Sequence, residues 1–280
     1  MKKQLIVNAD DYGHMEGVSR GIRDAHLHGI VTSTSTMMNR PFAVQALKLA
    51  MEETPKLGLG VHLCLTSGRP VLPVERVKSL VKADGLFCRP PEFRARLDQL
   101  DIDEVRAEWH AQVEQYVKTT GRKPDHLDSH HHSSYFTEAL FEEMFELAAE
   151  LRCPIRRPFG EGAGYLPGQL SAEHFQEMVA NFADSPSAPQ PLTTQGFYGT
   201  FYDEGATKAN LLEILHKVID HPTFTTFELM CHPAFVDDEL MQTSSYNEQR
   251  ERERQLLQDP DVLSLARNQL TLINFSQLNA

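Results

Sequence analysis

The chain has 280 residues, 41% hydrophobic and 24% charged, a balance that excludes a disordered or fibrous protein and suffices for a sizeable core. Its 27 Lys and Arg against 39 Asp and Glu leave a net charge of -12 with no basic run, which argues against nucleic acid as a partner. No apolar stretch reaches the roughly 18 residues of a membrane span, and Met1-Lys2-Lys3 precedes only three apolar residues before Asn8. The four cysteines, Cys64, Cys88, Cys153 and Cys231, form no C-x-x-C pair. A single cytoplasmic domain over residues 1–280 with reduced thiols and no membrane contact is therefore expected.

In chain order, Leu5-Ile6-Val7-Asn8 reads as a strand, residues 17–28 as a helix and residues 30–34 as a β-branched strand. A helix over 44–51 and a small-residue strand over 57–63 repeat the alternation. Val105, Trp109, Val113 and Val117 recur every four residues, which predicts an amphipathic helix over 101–118, and a second follows over 137–151. Between them, residues 125–130 read as a strand and its following loop. Residues 154–167 and 185–191 are irregular and rich in Gly or Pro. A helix over 211–219, a strand over 227–231, a charged helix over 247–257 and a strand over 270–275 complete the chain. This pattern predicts an α/β fold, a closed or nearly closed parallel β/α barrel whose active site lies where strand ends meet their loops, with an open doubly wound sheet as the alternative.

Four polar clusters end or follow apolar strand-like runs: Asn8-Ala9-Asp10-Asp11, His62, Asp128-Ser129-His130 and Cys231-His232-Pro233. Singly, each has an ordinary explanation, such as helix capping by Asp10 or Asp11 or a hydrogen-bonded core histidine at His62. Adjacent carboxylates repel unless a cation sits beside them, however, and in an extended segment His126, Asp128, His130 and His132 would share one face. An aspartate with two histidines is a standard ligand set for a catalytic divalent ion, which leaves one carboxylate as a base and one imidazole as an acid. A metal-dependent hydrolase follows from these residues. A metal-dependent phosphoesterase, a non-catalytic carbohydrate- or metal-binding protein and a structural metal site are the alternatives. Oxygen and imidazole donors admit magnesium, manganese, zinc or cobalt.

The stretches Leu5-Ile6-Val7-Asn8-Ala9-Asp10-Asp11-Tyr12-Gly13, Gly29-Ile30-Val31-Thr32-Ser33-Thr34, Gly121-Arg122-Lys123-Pro124-Asp125-His126-Leu127-Asp128-Ser129-His130-His131-His132, Thr193-Thr194-Gln195-Gly196-Phe197 and Met230-Cys231-His232-Pro233-Ala234-Phe235 resemble the YdjC-like carbohydrate deacetylases, most closely those acting on chitooligosaccharides. The resemblance implies a distorted β/α barrel and a metal, magnesium by preference, held by Asp11, His62 and His130. It also implies Asp10 as general base and His232 as general acid. Deacetylation of N-acetylated amino sugars such as diacetylchitobiose or its phosphate, in chitin breakdown, is the activity implied, by a homodimer with a small carbohydrate as its partner. Arg157 is expected to pair with Asp10, and Asp128 and His132 to support the site. Tyr12, Phe197 and Tyr202 offer rings for stacking on sugar. Residues 89–100 and 186–191 depart from the family's pattern.

Overall fold

The opening run Gln4–Tyr12 forms strand β1, and its alternation sets the plan of the molecule. Leu5, Val7 and Ala9 join the main apolar core, Ile6 packs in a separate small cluster with Ile273, Phe275 and Leu278, and the Asn8 side chain donates to Asp10. Successive side chains of a strand point to opposite faces, so one face of β1 packs on helices and the other lines the inside of a curved sheet. The computed structural model describes residues 2–157, 159, 177 and 191–278.

Among the described residues all pairings between the strands of the sheet are parallel. β2 (Ser33–Thr36) lies beside the second half of β1, β3 (Gly58–Leu63) beside β2, and β4 (Leu127–Ser129) beside β3. On the other side β6 (Thr226–Cys231) pairs with β1, and β5 (Gly196–Tyr198) with β6. The seventh strand, β7 (Thr271–Leu272), joins the start of β1. Beyond β4, Leu127 bridges Ile155, whose N–H donates to the Leu192 carbonyl at 2.9 Å. Short backbone contacts thus span part of the gap between the edge strands, giving a distorted parallel β/α barrel and not an open doubly wound sheet.

The helices Glu16–His28, Ala43–Glu53, Ile102–Thr120, Glu138–Leu151, Lys208–Asp220 and Glu248–Leu256 form where periodicity predicts them. Asp101, Thr137 and Thr207 cap three of them by accepting a backbone N–H two or three residues on. Among the described residues three α-helices escape the sequence reading, Pro90–Arg94, Asp238–Thr243 and Pro260–Gln269, although the last carries a readable signal, an Asp259 cap followed by Pro260 in its first turn. The strand expected at 30–34 begins only at Ser33, because Ile30 and Val31 turn into the core at the end of the preceding helix. Of the irregular stretches at 154–167 and 185–191, all but residues 154–157, 159 and 191 lie outside the described residues. No described helix is long and apolar enough to cross a membrane.

The floor of the barrel depends on one close approach. A Cβ at Gly60 would lie 2.3 Å from His126 Cε1, and the His126 ring cannot retreat because it stacks on Phe275 with centroids 3.9 Å apart. Gly60→Ala is expected to cost ~1–3 kcal/mol of stability as an overpacked core, read by chemical denaturation. Wild-type stability for this variant would mean that the ring can move after all.

His126 is fully buried, neither ring nitrogen has a hydrogen-bond partner among the described residues, and burial depresses its pKa from 6.5 to about 4. A histidine with a lowered folded pKa stabilises the fold above its unfolded value, and that stabilisation is lost as pH falls, since the unfolded chain takes the proton first. Between pH 6.5 and about 4 this residue should contribute a slope of up to ~1.4 kcal/mol per pH unit. His126→Phe should flatten the profile there; an unchanged slope would rule out this source.

Candidate active site

The polar clusters meet at the C-terminal ends of the strands. Asp10 and Asp11 lie near the end of β1, His62 near the end of β3 and Asp128 within β4, while His130 and His232 directly follow β4 and β6. A register shift in the β1–β2 pairing between Ala9 and Tyr12, with Asp11 at φ 71°, breaks the alternation at this point. Such a bulge re-aims side chains, and here it lets two consecutive carboxylates serve one site.

Asp11 Oδ1 lies 3.0 Å from His130 Nδ1 and 3.5 Å from His62 Nε2, and Asp11 Oδ2 accepts from Arg250 Nη2 at 2.6 Å. The far side of the His62 ring is pinned by Nδ1 on Asp128 Oδ1 at 2.7 Å, and Ser35 Oγ donates to the other Asp128 oxygen at 2.9 Å. A carboxylate behind a histidine fixes the ring and leaves the opposite nitrogen free to act as a ligand. One ligand atom from each of Asp11, His62 and His130 lies within 4.8 Å of the others. Among the described residues Asp11 Oδ1 is buried without a hydrogen-bond partner of its own, as a carboxylate oxygen facing a cation would be. Both observations fit a divalent ion.

The neighbouring grouping of Asp10, His62 and Asp128 is different in kind, because a cation from the chain already fills it. Arg156 is fully buried and donates to both Asp10 oxygens at 2.7 and 2.6 Å and to Glu228 Oε1 at 2.8 Å, and it lies 3.0 Å from Asp128 Oδ2. The centre of the barrel is therefore a buried ion network, with apolar residues confined to its floor.

The network sets the charges. Burial alone would raise the Asp10 carboxyl, but Arg156, through its charge and its hydrogen bonds, holds it below the ordinary value. Asp11 is likewise penalised by burial, yet Arg250 and His130 hold it well below. Burial opposes the proton on His62, and the Asp128, Asp10 and Asp11 carboxylates overcome it and raise its pKa to about 9. His130 is held below its ordinary value by burial, against Asp11. His232 is depressed to about 4, by burial first, although Asp10 opposes the shift. Its Nε2 lies 3.9 Å from Asp10 Oδ2, and its backbone N–H donates to Glu253 Oε2 at 2.5 Å.

Several sequence expectations are corrected. Arg157 does not reach Asp10: it donates to the Gln195 carbonyl at 2.8 Å, and Arg156 makes the ion pair. The strand alternation carries the signal, because Ile155 packs in the core outside the barrel and its neighbour Arg156 must point inward. Tyr12 faces the helices, with its hydroxyl donating to the Ala46 carbonyl at 2.8 Å, and is fully buried. Phe197, only 2% exposed, backs Arg156 with its ring 5.5 Å from the guanidinium carbon and offers no face to a sugar. The shared face expected for His126, Asp128, His130 and His132 ends with β4 at Ser129. His131 and His132 then adopt left-handed backbone conformations, and His126 lies at the floor. His132 does border the site, edge-on to Phe197, with burial depressing its pKa to about 3.

Arg250 and Glu253 escape the sequence reading because they sit in Glu248–Leu256, whose run of Glu and Arg is indistinguishable from a solvated helix face. A cavity of about 940 Å³ opens above Asp10, Asp11, His62, His130 and His232. Its walls also carry Arg40, Lys82, Arg89 and Arg94.

The sequence profile of a family described as YdjC-like protein matches residues 4–268 of this chain. The chain is 36% identical over 288 residues to a carbohydrate deacetylase of Thermoanaerobacter pseudethanolicus, covering 99% of each. It is 36% identical over 262 residues to a chitooligosaccharide deacetylase of Yersinia enterocolitica, covering 93% of this chain and 92% of the relative. A crystal structure from Enterococcus faecalis V583, described as a candidate cellobiose-phosphate cleavage protein, matches with a TM-score of 0.86 at 32% identity and covers 100% of both chains.

Proposed function

The chain belongs to the YdjC-like protein family, and from that membership we propose that it is a metal-dependent carbohydrate deacetylase that hydrolyses the N-acetyl group of amino sugars. The observation that supports this reading is how the two carboxylates are engaged at the cavity floor. Ligand atoms of Asp11, His62 and His130 lie within 4.8 Å of one another, while both Asp10 oxygens accept from Arg156 and His232 Nε2 lies 3.9 Å from Asp10.

Asp11, His62 and His130 would hold the divalent ion. When bound there, such an ion supplies Lewis acidity toward the acetyl carbonyl and lowers the pKa of water. Asp10, ionised and fixed by Arg156, takes the proton of the attacking water. Because Arg156 weakens its basicity, protonated Asp10 is a strong acid that gives the proton up readily. His232 is neutral at rest and lies 3.9 Å from Asp10. It is therefore placed to receive this proton and deliver it to the departing nitrogen; the second proton of the water leaves with the products, so hydrolysis ends in acetate and a protonated amine with the enzyme's own groups as they began. An amide nitrogen leaves poorly as an anion, so this delivery is where a positioned acid has most effect.

Arg40, Lys82, Arg89 and Arg94 on the walls of a cavity in a chain of charge -12 support a phosphorylated chito-oligosaccharide such as diacetylchitobiose phosphate as substrate. Lys82 is partly neutralised by Asp84 at 3.1 Å. Four buried free cysteines support a reducing, cytoplasmic setting. Magnesium as the metal, a homodimeric state and a place in chitin breakdown rest on the family resemblance.

The test is acetate release from N-acetylated chito-oligosaccharides, with and without a phosphate. A chelator should abolish it, and a divalent ion should restore it. His62→Ala and His130→Ala should each weaken metal binding by more than ~100-fold, measured by elemental analysis after dialysis. Acetate release from protein shown to be metal-free, or full metal occupancy in both variants, would refute the assignment.

A further inference from the structure

We propose that Tyr202 is the platform on which a pyranose ring of the substrate stacks, which makes it the residue that seats the sugar beside His232. The proposal rests on the deacetylase reading and deepens it. Five large hydrophobic side chains are notably exposed among the described residues, Leu27, Val117, Tyr202, Phe224 and Met241, and of these only Tyr202 lines the cavity. The residue as a whole is 43% exposed. It stacks on Tyr246 with centroids 4.3 Å apart at 18°, and it stands 5.3 Å from the His232 ring. With Tyr246 against one face, the exposed part of the Tyr202 ring is what the cavity meets.

The stacking partner of the ring and the turn after it are tied down by hydrogen bonds. Tyr246 Oη accepts from the Asp203 N–H at 2.9 Å and donates to buried Glu253, the same carboxylate that takes the His232 N–H at 2.5 Å. Asp203 sits in the left-handed region at φ 53°, and the Asn210 side chain ties down the Thr200 and Gly205 carbonyls at 3.0 and 2.8 Å. Glu253 thus couples the brace of the platform to the backbone of His232, fixing where a stacked ring lies relative to the group proposed to protonate the leaving nitrogen. An aromatic surface fixed before binding costs little entropy when a ligand arrives. Its flat apolar face matches the axial C–H face of a pyranose and leaves the sugar hydroxyl and acetamido groups at the edge, free to meet the polar floor.

Binding of diacetylchitobiose is measured by calorimetry on the metal-loaded protein, with acetate release followed in parallel. Tyr202→Ala should weaken binding roughly 10-fold or more and raise KM to match, with kcat changed less than about 3-fold and metal content and Tm unchanged. Tyr202→Phe, which keeps the ring, should restore wild-type affinity within about 2-fold. Wild-type affinity in Tyr202→Ala, or losses in Tyr202→Phe as large as those in Tyr202→Ala, would overturn the platform while acetate release still upheld the deacetylase. Sugar binding that depends on the Tyr202 ring, with no acetate released by the wild type, would support the platform and remove the deacetylase reading.

Discussion

Replacing Arg156 with methionine is expected to destabilise the fold by ~3–5 kcal/mol, the range seen when one partner of a buried ion pair is removed. The guanidinium is fully buried and meets Asp10, Asp128 and Glu228, all within 3.0 Å. Without it, three carboxylates share a space from which water is excluded. Glu228 already shows the strain: burial raises its pKa to about 7 even with Arg156 in contact. The effect should depend on pH with a definite sign. In the wild type Asp10 and Asp128 are held below 3.8, so their stabilisation is present above that pH and is lost as pH falls. In the variant the abandoned carboxylates favour their protonated forms, so the deficit should be greatest at neutral and alkaline pH and should narrow toward pH 4. Arg156→Lys should recover only part of the loss, because an ammonium cannot reach both Asp10 oxygens and Glu228 in one fork. Chemical denaturation across pH is the measurement. A variant within ~0.5 kcal/mol of wild type at pH 7 would show that the network is not what closes the barrel.

Asp10→Asn should leave the metal in place and lower turnover by ~100 to 10,000-fold, the scale of a lost general base. The amide cannot accept the water's proton, and its NH2 group would confront one of the two Arg156 donors now spaced 2.7 and 2.6 Å from the carboxylate. Some loss of stability should therefore accompany the loss of rate. Asp11→Asn should behave in the opposite order, with weakened metal binding as the first defect, because Asp11 Oδ1 faces both His62 and His130. The pair is separated by metal content after dialysis and acetate release at saturating metal. If Asp10→Asn lost the metal and Asp11→Asn kept it, the two roles would exchange. If Asp10→Asn released acetate within about 3-fold of wild type, the base would lie elsewhere.

The two arginines of the site show why some residues were legible in sequence and others were not. Arg156 could be found in principle, since it follows Ile155 on a segment beside β4 and strand alternation sends it inward. Arg250 could not, because the Glu248–Leu256 helix alternates charges along its length and nothing local marks the arginine that turns toward Asp11. Tyr12 misleads for a related reason. It follows two site carboxylates, but the irregularity at Asp11 sends it out toward Ala46, where it becomes core. Phe197 and Tyr202 looked alike as aromatic residues, and only their neighbours separate a ring packed behind Arg156 from one at the cavity wall.

Sequence by itself determined the alternation of strands and helices, the parallel barrel, and the polar residues at the strand ends, because apolar periodicity and chain order are local properties that a parallel fold brings to one mouth. Only the tertiary structure decided which charge meets which. Asp10 and Asp11 are neighbours of the same type, and what divides them is a bulge in β1 together with two arginines, one 146 residues away and the other 239. The strength of each ion pair depends on distance and on exclusion of water, and both are set by packing between segments far apart in the chain.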